Sequence, residues 1–311
     1  MRDSFVKTLI DIAKQNPNVE LLTGDLGFGV LKPFYEQCPN QFTNVGIAEQ
    51  NMAGIAAGMA SLGKTVFVYS IANFPTLRCL EQIRNDCAYH RLNVKIVSVG
   101  GGFTYGALGM THQATEDIAV MRALPDVAVL CPGDLVEAAA ATRAATAWPG
   151  TVYLRLGRGG EMRVHHVIDD FKIGKAIKIA DTTDLHDKKT AILSTGAILG
   201  EVCEATTILS SKFGIGTEQF SFPTVKPIDK ECILKCCQKY DWVFTVEEHN
   251  VVGGFGSAVA EVTSESGLPT RLIRIGINDQ YCHIVGSQKY LRNQFGLSAK
   301  SISQRIADTL M

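Results

Sequence analysis

Four short runs of β-branched and aromatic residues dictate most of what the first half of this chain can fold into. They are Val66–Tyr69, Val94–Val99, Val127–Leu130 and Val152–Leu156. Each is four to six residues long, apolar on both faces of an extended chain, and bounded by polar or turn-forming residues, which predicts buried strands. Between them lie longer stretches of helical spacing: Leu77, Leu80, Ile83 and Cys87 recur at three and four, and an Ala-rich run from Leu135 to Ala147 follows Asp134, a good N-cap. Short buried strands alternating with helices require crossover connections, hence a mostly parallel sheet covered on both faces.

The pattern stops at residue 168, where a polar segment rich in Asp, Lys and Thr runs to Lys189. We read 169–189 as a linker carrying an edge strand near 173–179, between one α/β unit at 1–168 and a second at 190–311. The second unit is expected to hold strands at 191–194, 216–220, 242–246 and 271–275, and helices near 197–212, 229–239, 253–265 and 287–309. The predicted fold class is therefore α/β, two doubly wound domains, each with a mostly parallel sheet.

Charge and cysteine usage narrow the function. Thirty Lys and Arg against 31 Asp and Glu leave a net charge of −1, which disfavours a nucleic-acid or membrane-surface partner, either of which normally demands a basic excess. No apolar run approaches the ~20 residues that cross a bilayer. The nine cysteines are scattered, without a Cys-x-x-Cys pair or a His/Cys metal spacing, so no disulfide framework or metal site is expected. With no signal-length apolar stretch behind Met1, the expected compartment is the cytoplasm.

The most informative segment is Asn44-Val-Gly-Ile-Ala-Glu49-Gln-Asn-Met52, followed by glycines at 54 and 58 that permit close helix packing. Glu49 falls at the start of that helix, where the helix dipole favours a carboxylate. This run resembles the signature of the pyrimidine-binding domain of transketolases and 1-deoxyxylulose-phosphate synthases. The similarity continues through Gln82–Asn85, Thr111–Ala119, Met121–Pro125 and Tyr153–Arg158, then Val246–His249 and Gly253–Ala258, in the family's order.

That resemblance implies a thiamine-diphosphate site. The glutamate matching Glu49 hydrogen-bonds N1′ of the cofactor's aminopyrimidine, promoting the tautomer whose 4′ nitrogen removes the thiazolium C2 proton; the cofactor then performs the carbon–carbon chemistry. Ile71, Phe74 and Leu77 match the pyrimidine pocket, with Phe74 as the stacking ring, and Asp25 in Gly24-Asp25-Leu26-Gly27 matches a cofactor-site aspartate at the dimer interface. His112 matches a histidine facing the reacting carbon, suited to donate to a developing oxyanion or move a proton near neutral pH. Arg158 matches an arginine that clamps a substrate anion, with Arg155 and Arg163 as neighbouring rivals.

Two departures matter. The Gly-Asp-Gly motif and metal-binding Asn of the diphosphate domain are missing, so the resemblance implies a split enzyme. An N-terminal partner subunit would hold Mg²⁺ and the diphosphate, in an α2β2 assembly. Leu108 stands where sugar-phosphate transketolases carry an aspartate, Gly100 where some carry a histidine, and Gly29 where they carry a serine, which points to an unusual sugar-type donor. The activity implied is transfer of a two-carbon ketol unit to an aldehyde. The alternatives are a synthase-like condensation, a 2-oxoacid dehydrogenase β-subunit, which the Gly-Ile-Ala-Glu-Gln-Asn-Met run disfavours, and a non-catalytic partner, which the presence of Glu49 and His112 disfavours.

Overall fold

The computed structural model describes all 311 residues. The strands, in chain order, are β1 (Val19–Thr23), β2 (Phe42–Asn44), β3 (Thr65–Ile71), β4 (Val94–Val99), β5 (Val127–Leu130), β6 (Thr151–Leu156), β7 (Ile177–Asp181), β8 (Lys188–Thr195), β9 (Ile215–Ser221), β10 (Thr224–Lys226), β11 (Trp242–Asn250) and β12 (Arg271–Ile277). They form a seven-stranded sheet of order β10-β5-β6-β4-β3-β1-β2 and a five-stranded sheet of order β12-β11-β8-β9-β7. Both sheets are parallel except at one edge: β10 pairs antiparallel with β5, and β7 antiparallel with β9. The protein is thus α/β with two mostly parallel sheets, as the alternation of apolar runs and helices demands.

The four apolar runs of the first half are β3 to β6, every residue buried apart from the half-buried Ile71. Strands β1 and β2 flank them. The helix Leu135–Ala147 begins where expected, because Asp134 Oδ accepts from the amides of Val136 and Glu137 at 2.9 and 2.8 Å. The edge strand expected near 173–179 lies at Ile177–Asp181 and belongs to the second sheet. The single helix expected at 287–309 is two, Gln288–Gln294 and Ala299–Leu310. Gly296 at φ 70° breaks the run, and Ser298 caps the second helix.

The two sheets do not have separate cores. Leu22, Met52, Ile83, Val129 and Tyr153 of the first half pack in one buried cluster with Phe222, Val225, Ile233, Phe255 and Val259 of the second. In the other direction Phe103, from the loop after β4, is fully buried among Ile192, Phe244, Val246 and Leu291. Strand β10, from the second half of the chain, completes the first sheet. The nine cysteines are all unpaired and at least partly buried, and no helix is long and apolar enough to cross a membrane.

Candidate active site

In a parallel sheet the loops leaving the strands' carboxyl ends gather on one edge, which is where α/β proteins place their ligands. Here the segments after β1 (Gly24–Asp25), β2 (Val45–Glu49), β3 (Ala72–Arg78), β4 (Gly100–His112) and β6 (Gly157–Arg158) share that edge. Asp25, Glu49, Phe74, Leu77, Leu108, His112 and Arg158 lie in these segments and Ile71 is the last residue of β3, whereas Gly29, Arg155 and Arg163 lie outside them.

Glu49 is the first residue of the helix Glu49–Ser61, with a side chain only 4% exposed. Its capping neighbour Ala48 offers no side-chain acceptor, so the acidic side chain is what complements the amide end of this helix. Behind it lies a small void lined by Met52, Ala53, Val68, Cys79 and Ile83, without room for a water molecule. Gly24 packs against it: a Cβ there would lie 3.5 Å from Glu49 Cγ and 3.3 Å from the Gly46 carbonyl. On the outer side Arg78 donates from its guanidinium to Glu49 Oε2 at 2.8 Å. The same guanidinium lies over the Phe74 ring, 4.6 Å from its centre.

From Phe74 a continuous row of groups runs along the edge. The His112 ring meets Phe74 edge-on at 5.2 Å, Tyr105 lies 6.5 Å beyond His112, and the Arg158 guanidinium sits 5.5 Å from the centre of Tyr105. Thr111 Oγ1 lies 3.0 Å from His112 Nδ1. Beneath the Phe74–His112 contact, Asn73 Nδ2 donates to the Gln113 carbonyl at 2.5 Å, which leaves Asn73 Oδ1 and Gln113 Nε2 buried with no partner. Both atoms are sealed from solvent, two unmet polar groups on the residues next to Phe74 and His112.

The structure therefore brings Glu49, Phe74, His112 and Arg158 into one row. The remaining positions are at its margins. Asp25 is exposed at φ 53°, its carboxylate accepting from Asn44 Nδ2 at 3.0 Å while Asn44 Oδ1 accepts from the amides of Asp25 and Gly46 at 2.9 and 3.0 Å. Leu77 is exposed on the outer side of the turn next to Arg78. Leu108 is 56% exposed at the tip of the β4 loop, beside the equally open Met110. Arg155 and Arg163 are committed elsewhere: Arg155 is buried on Asp117, and Arg163 donates to the carbonyls of His165 and His166.

Sequence reasoning overlooked Arg78 and Tyr105. Arg78 follows Phe74 across the irregular turn before the short helix Leu77–Cys79, so no helical spacing flags the pair. Tyr105 explains Gly100: a side chain at 100 would collide with the Tyr105 ring, and the backbone there has φ +105°. Burial pushes the Tyr105 phenol upward although Arg158 and Arg2 pull it down, so it remains a neutral hydrogen-bonding group.

Comparison with known proteins identifies the family. The family described as "Transketolase, pyrimidine binding domain" matches residues 1–160, and "Transketolase, C-terminal domain" matches residues 182–302. The chain belongs to the transketolase family. It is 40% identical over 313 residues to a Methanocaldococcus jannaschii protein provisionally named a transketolase C-terminal section, covering 100% of this chain and 96% of that one. It is 37% identical over 303 residues to a 6-deoxy-6-sulfo-D-fructose transketolase subunit of Clostridium sp. strain MSTE9, covering 97% and 92%. A solved structure of a split-gene transketolase, described as an inactive β4 tetramer, superimposes with a TM-score of 0.87 at 33% identity, covering 99% of this chain and 98% of that one.

The contrast between the two arginines of β6 and its exit can be measured. Arg155→Met removes one member of a buried pair whose members are 4% and 0% exposed, and is expected to cost about 3–5 kcal/mol in urea unfolding. Arg158→Met, at an exposed site with one cation–π contact, is expected to cost at most about 1 kcal/mol.

Proposed function

We propose that this chain is the C-terminal subunit of a two-component, thiamine-diphosphate-dependent transketolase, transferring a two-carbon ketol unit from a ketose-type donor to an aldehyde. The observation that carries this reading is Glu49: a nearly buried carboxylate at a helix start, joined through the Arg78 guanidinium to the face of Phe74. These groups fit the aminopyrimidine half of the cofactor, which when bound supplies the nucleophilic carbon for carbon–carbon cleavage. Glu49 would hold the ring nitrogen of the bound cofactor by a hydrogen bond. Phe74 and Ile71 wall the slot, with Leu77 and Asp25 at its mouth. A ring held by Glu49 and Phe74 would need the place that the Arg78 guanidinium takes on both. Further along the row His112 donates to a developing substrate oxyanion, and Arg158 holds an anionic group of the donor.

Mg²⁺ and the diphosphate are assigned to an N-terminal partner subunit, because relatives that this chain spans over nine-tenths of their length are named as a transketolase C-terminal section and a transketolase subunit. The kinship with split transketolases supports this assignment, and the assembly is proposed to hold two copies of each chain. The donor is proposed to differ from common pentose phosphates at the hydroxyl that an aspartate would read, because Leu108 offers only apolar contact there. A relative named for a sulfonated hexose supports donor variety among such subunits.

Three outcomes test the reading. The isolated chain should bind thiamine diphosphate weakly or not at all in titration calorimetry, with or without Mg²⁺, because the diphosphate carries most of the anchoring interactions. Tight, Mg²⁺-dependent binding by this chain alone would exclude the split site. In the reconstituted complex Glu49→Gln should slow hydrogen–deuterium exchange at the cofactor's C2 by about 10²–10⁴, the usual contribution of a positioned acid or base, while assembly is retained. An unchanged exchange rate removes Glu49 from the mechanism. Leu108→Asp should shift kcat/KM toward a common ketose phosphate by about ten- to a hundred-fold relative to the best alternative donor, the worth of a charged hydrogen bond. If the wild type already uses xylulose 5-phosphate well and the ratio does not move, Leu108 is neutral.

A further inference from the structure

The loop that carries Leu108 and His112 leaves the first sheet at Val99, yet most of what holds it comes from the second half of the chain. Phe103, near its base, is fully buried in the second sheet's core, with its ring 5.0 Å from Phe295. The Phe103 amide donates to Glu248 Oε1 at 2.6 Å. Glu248, at the end of β11, is itself almost completely buried and held by the Arg292 guanidinium at 2.5 and 2.8 Å. Gln288 donates to both Glu248 oxygens and to Thr104 Oγ1.

Three further contacts fix the same loop. Gly102 has φ +63°, and a Cβ there would come within 2.6 Å of Glu248 Cγ, so the backbone rests directly on that side chain. The Gly286 amide donates to the Gly106 carbonyl at 3.3 Å, and a Cβ on Gly106 would meet the Gly286 carbonyl at 2.8 Å. Gly102 and Ala114 exchange backbone hydrogen bonds at 2.7 and 3.0 Å, closing the loop's base, and the Ala114 carbonyl also accepts from Arg155. Only the tip, Ala107 to Thr111, stands open.

We propose that Glu248, clamped by Arg292, is a positioning residue that sets His112 against the substrate, so that the second sheet serves the reaction through this loop. The inference rests on the functional reading above and adds to it a residue from the far half of the chain. Glu248 touches neither the row of site residues nor Glu49; its action passes through the Phe103 amide and the loop backbone to His112. Exchange at the cofactor's C2, which depends on Glu49, should therefore be insensitive to it.

The test uses the reconstituted two-subunit complex with Glu248→Gln, which keeps the shape but loses the charge that holds Arg292. Ketol transfer should fall by about 10- to 100-fold, the penalty for a catalytic group displaced by about an ångström, while the C2 exchange rate is unchanged. In a His112→Ala background the same substitution should cost nothing further, because a residue acting only through His112 has nothing left to position. Gln288→Ala, a milder change at the same clamp, should show the same pattern with smaller loss if Glu248→Gln does not assemble. Transfer and exchange falling together, unaltered transfer, or independent losses in the double variant would overturn the proposal while leaving the functional reading intact. A wild-type complex that shows neither exchange nor transfer would remove that reading, and this inference with it.

Discussion

The Arg155 guanidinium, buried at the end of β6, is the point on which the two halves of the molecule close. Its Nε lies 2.7 Å from Asp117 Oδ2, and one terminal nitrogen donates to the carbonyls of Ala114 and Glu248 at 2.8 and 3.1 Å. Tyr153, two residues back on the same strand, donates its hydroxyl to the same Asp117 oxygen at 2.5 Å. Burying two charges is costly, and the cost is offset only when every donor and acceptor is satisfied. Groups from β6, the β4 loop, the helix Asp117–Ala123 and β11 together partner Nε and one terminal nitrogen of the guanidinium. Burial opposes ionisation of Asp117, but Arg155 outweighs it and holds the carboxyl below its ordinary value. His249, packed beside the pair, is driven down to about 4 by burial and stays neutral, so the junction carries one clean ion pair.

With that junction in place, the exits of β1 to β4 and β6 are held in register. This is why groups as far apart in sequence as Glu49 and Arg158 can share one row. Two regimes meet along it. At the Glu49 end the surroundings are dry and apolar, and the one cation present, Arg78, is shared between the carboxylate and the face of Phe74. At the Arg158 end the groups are open to solvent and polar. A flat heterocycle suits the first regime, and an anionic, hydroxylated substrate suits the second, as the roles proposed here require.

How much of this the sequence revealed follows from what kind of signal each part leaves. Strands β3 to β6 are continuous apolar runs, and the cap at Asp134 is a local hydrogen bond, so both could be read directly. Strands β1 and β2 were missed. Val19–Thr23 interrupts its apolar run with Glu20, whose charge is met by Lys64 at 3.0 Å from a distant turn, and Phe42–Asn44 is too short to show a period. Strand β10 owes its existence to pairing across the chain with β5, and no local pattern encodes that. Of the candidate site residues, Glu49, Phe74, His112 and Arg158 were named because their neighbours resemble a family motif. Arg78, Tyr105 and Phe103 were not, because their importance lies in contacts with residues 29, 5 or 192 positions away.

The division between a loop buried at its base and open at its tip bears on how such a scaffold changes substrate. A substitution at Phe103, Gly102 or Gly106 meets a filled core or an occupied backbone contact, so the base admits almost no variation. Leu108 and Met110 meet solvent, and a change there disturbs no packing. The distance of the tip from Glu49 along the row means that replacing a hydrogen-bonding side chain by leucine leaves the groups proposed to activate the cofactor untouched. On the roles proposed here, specificity and activation are separable: one is assigned to side chains that the fold does not need, the other to a carboxylate whose helix, void and neighbouring glycine the fold cannot do without.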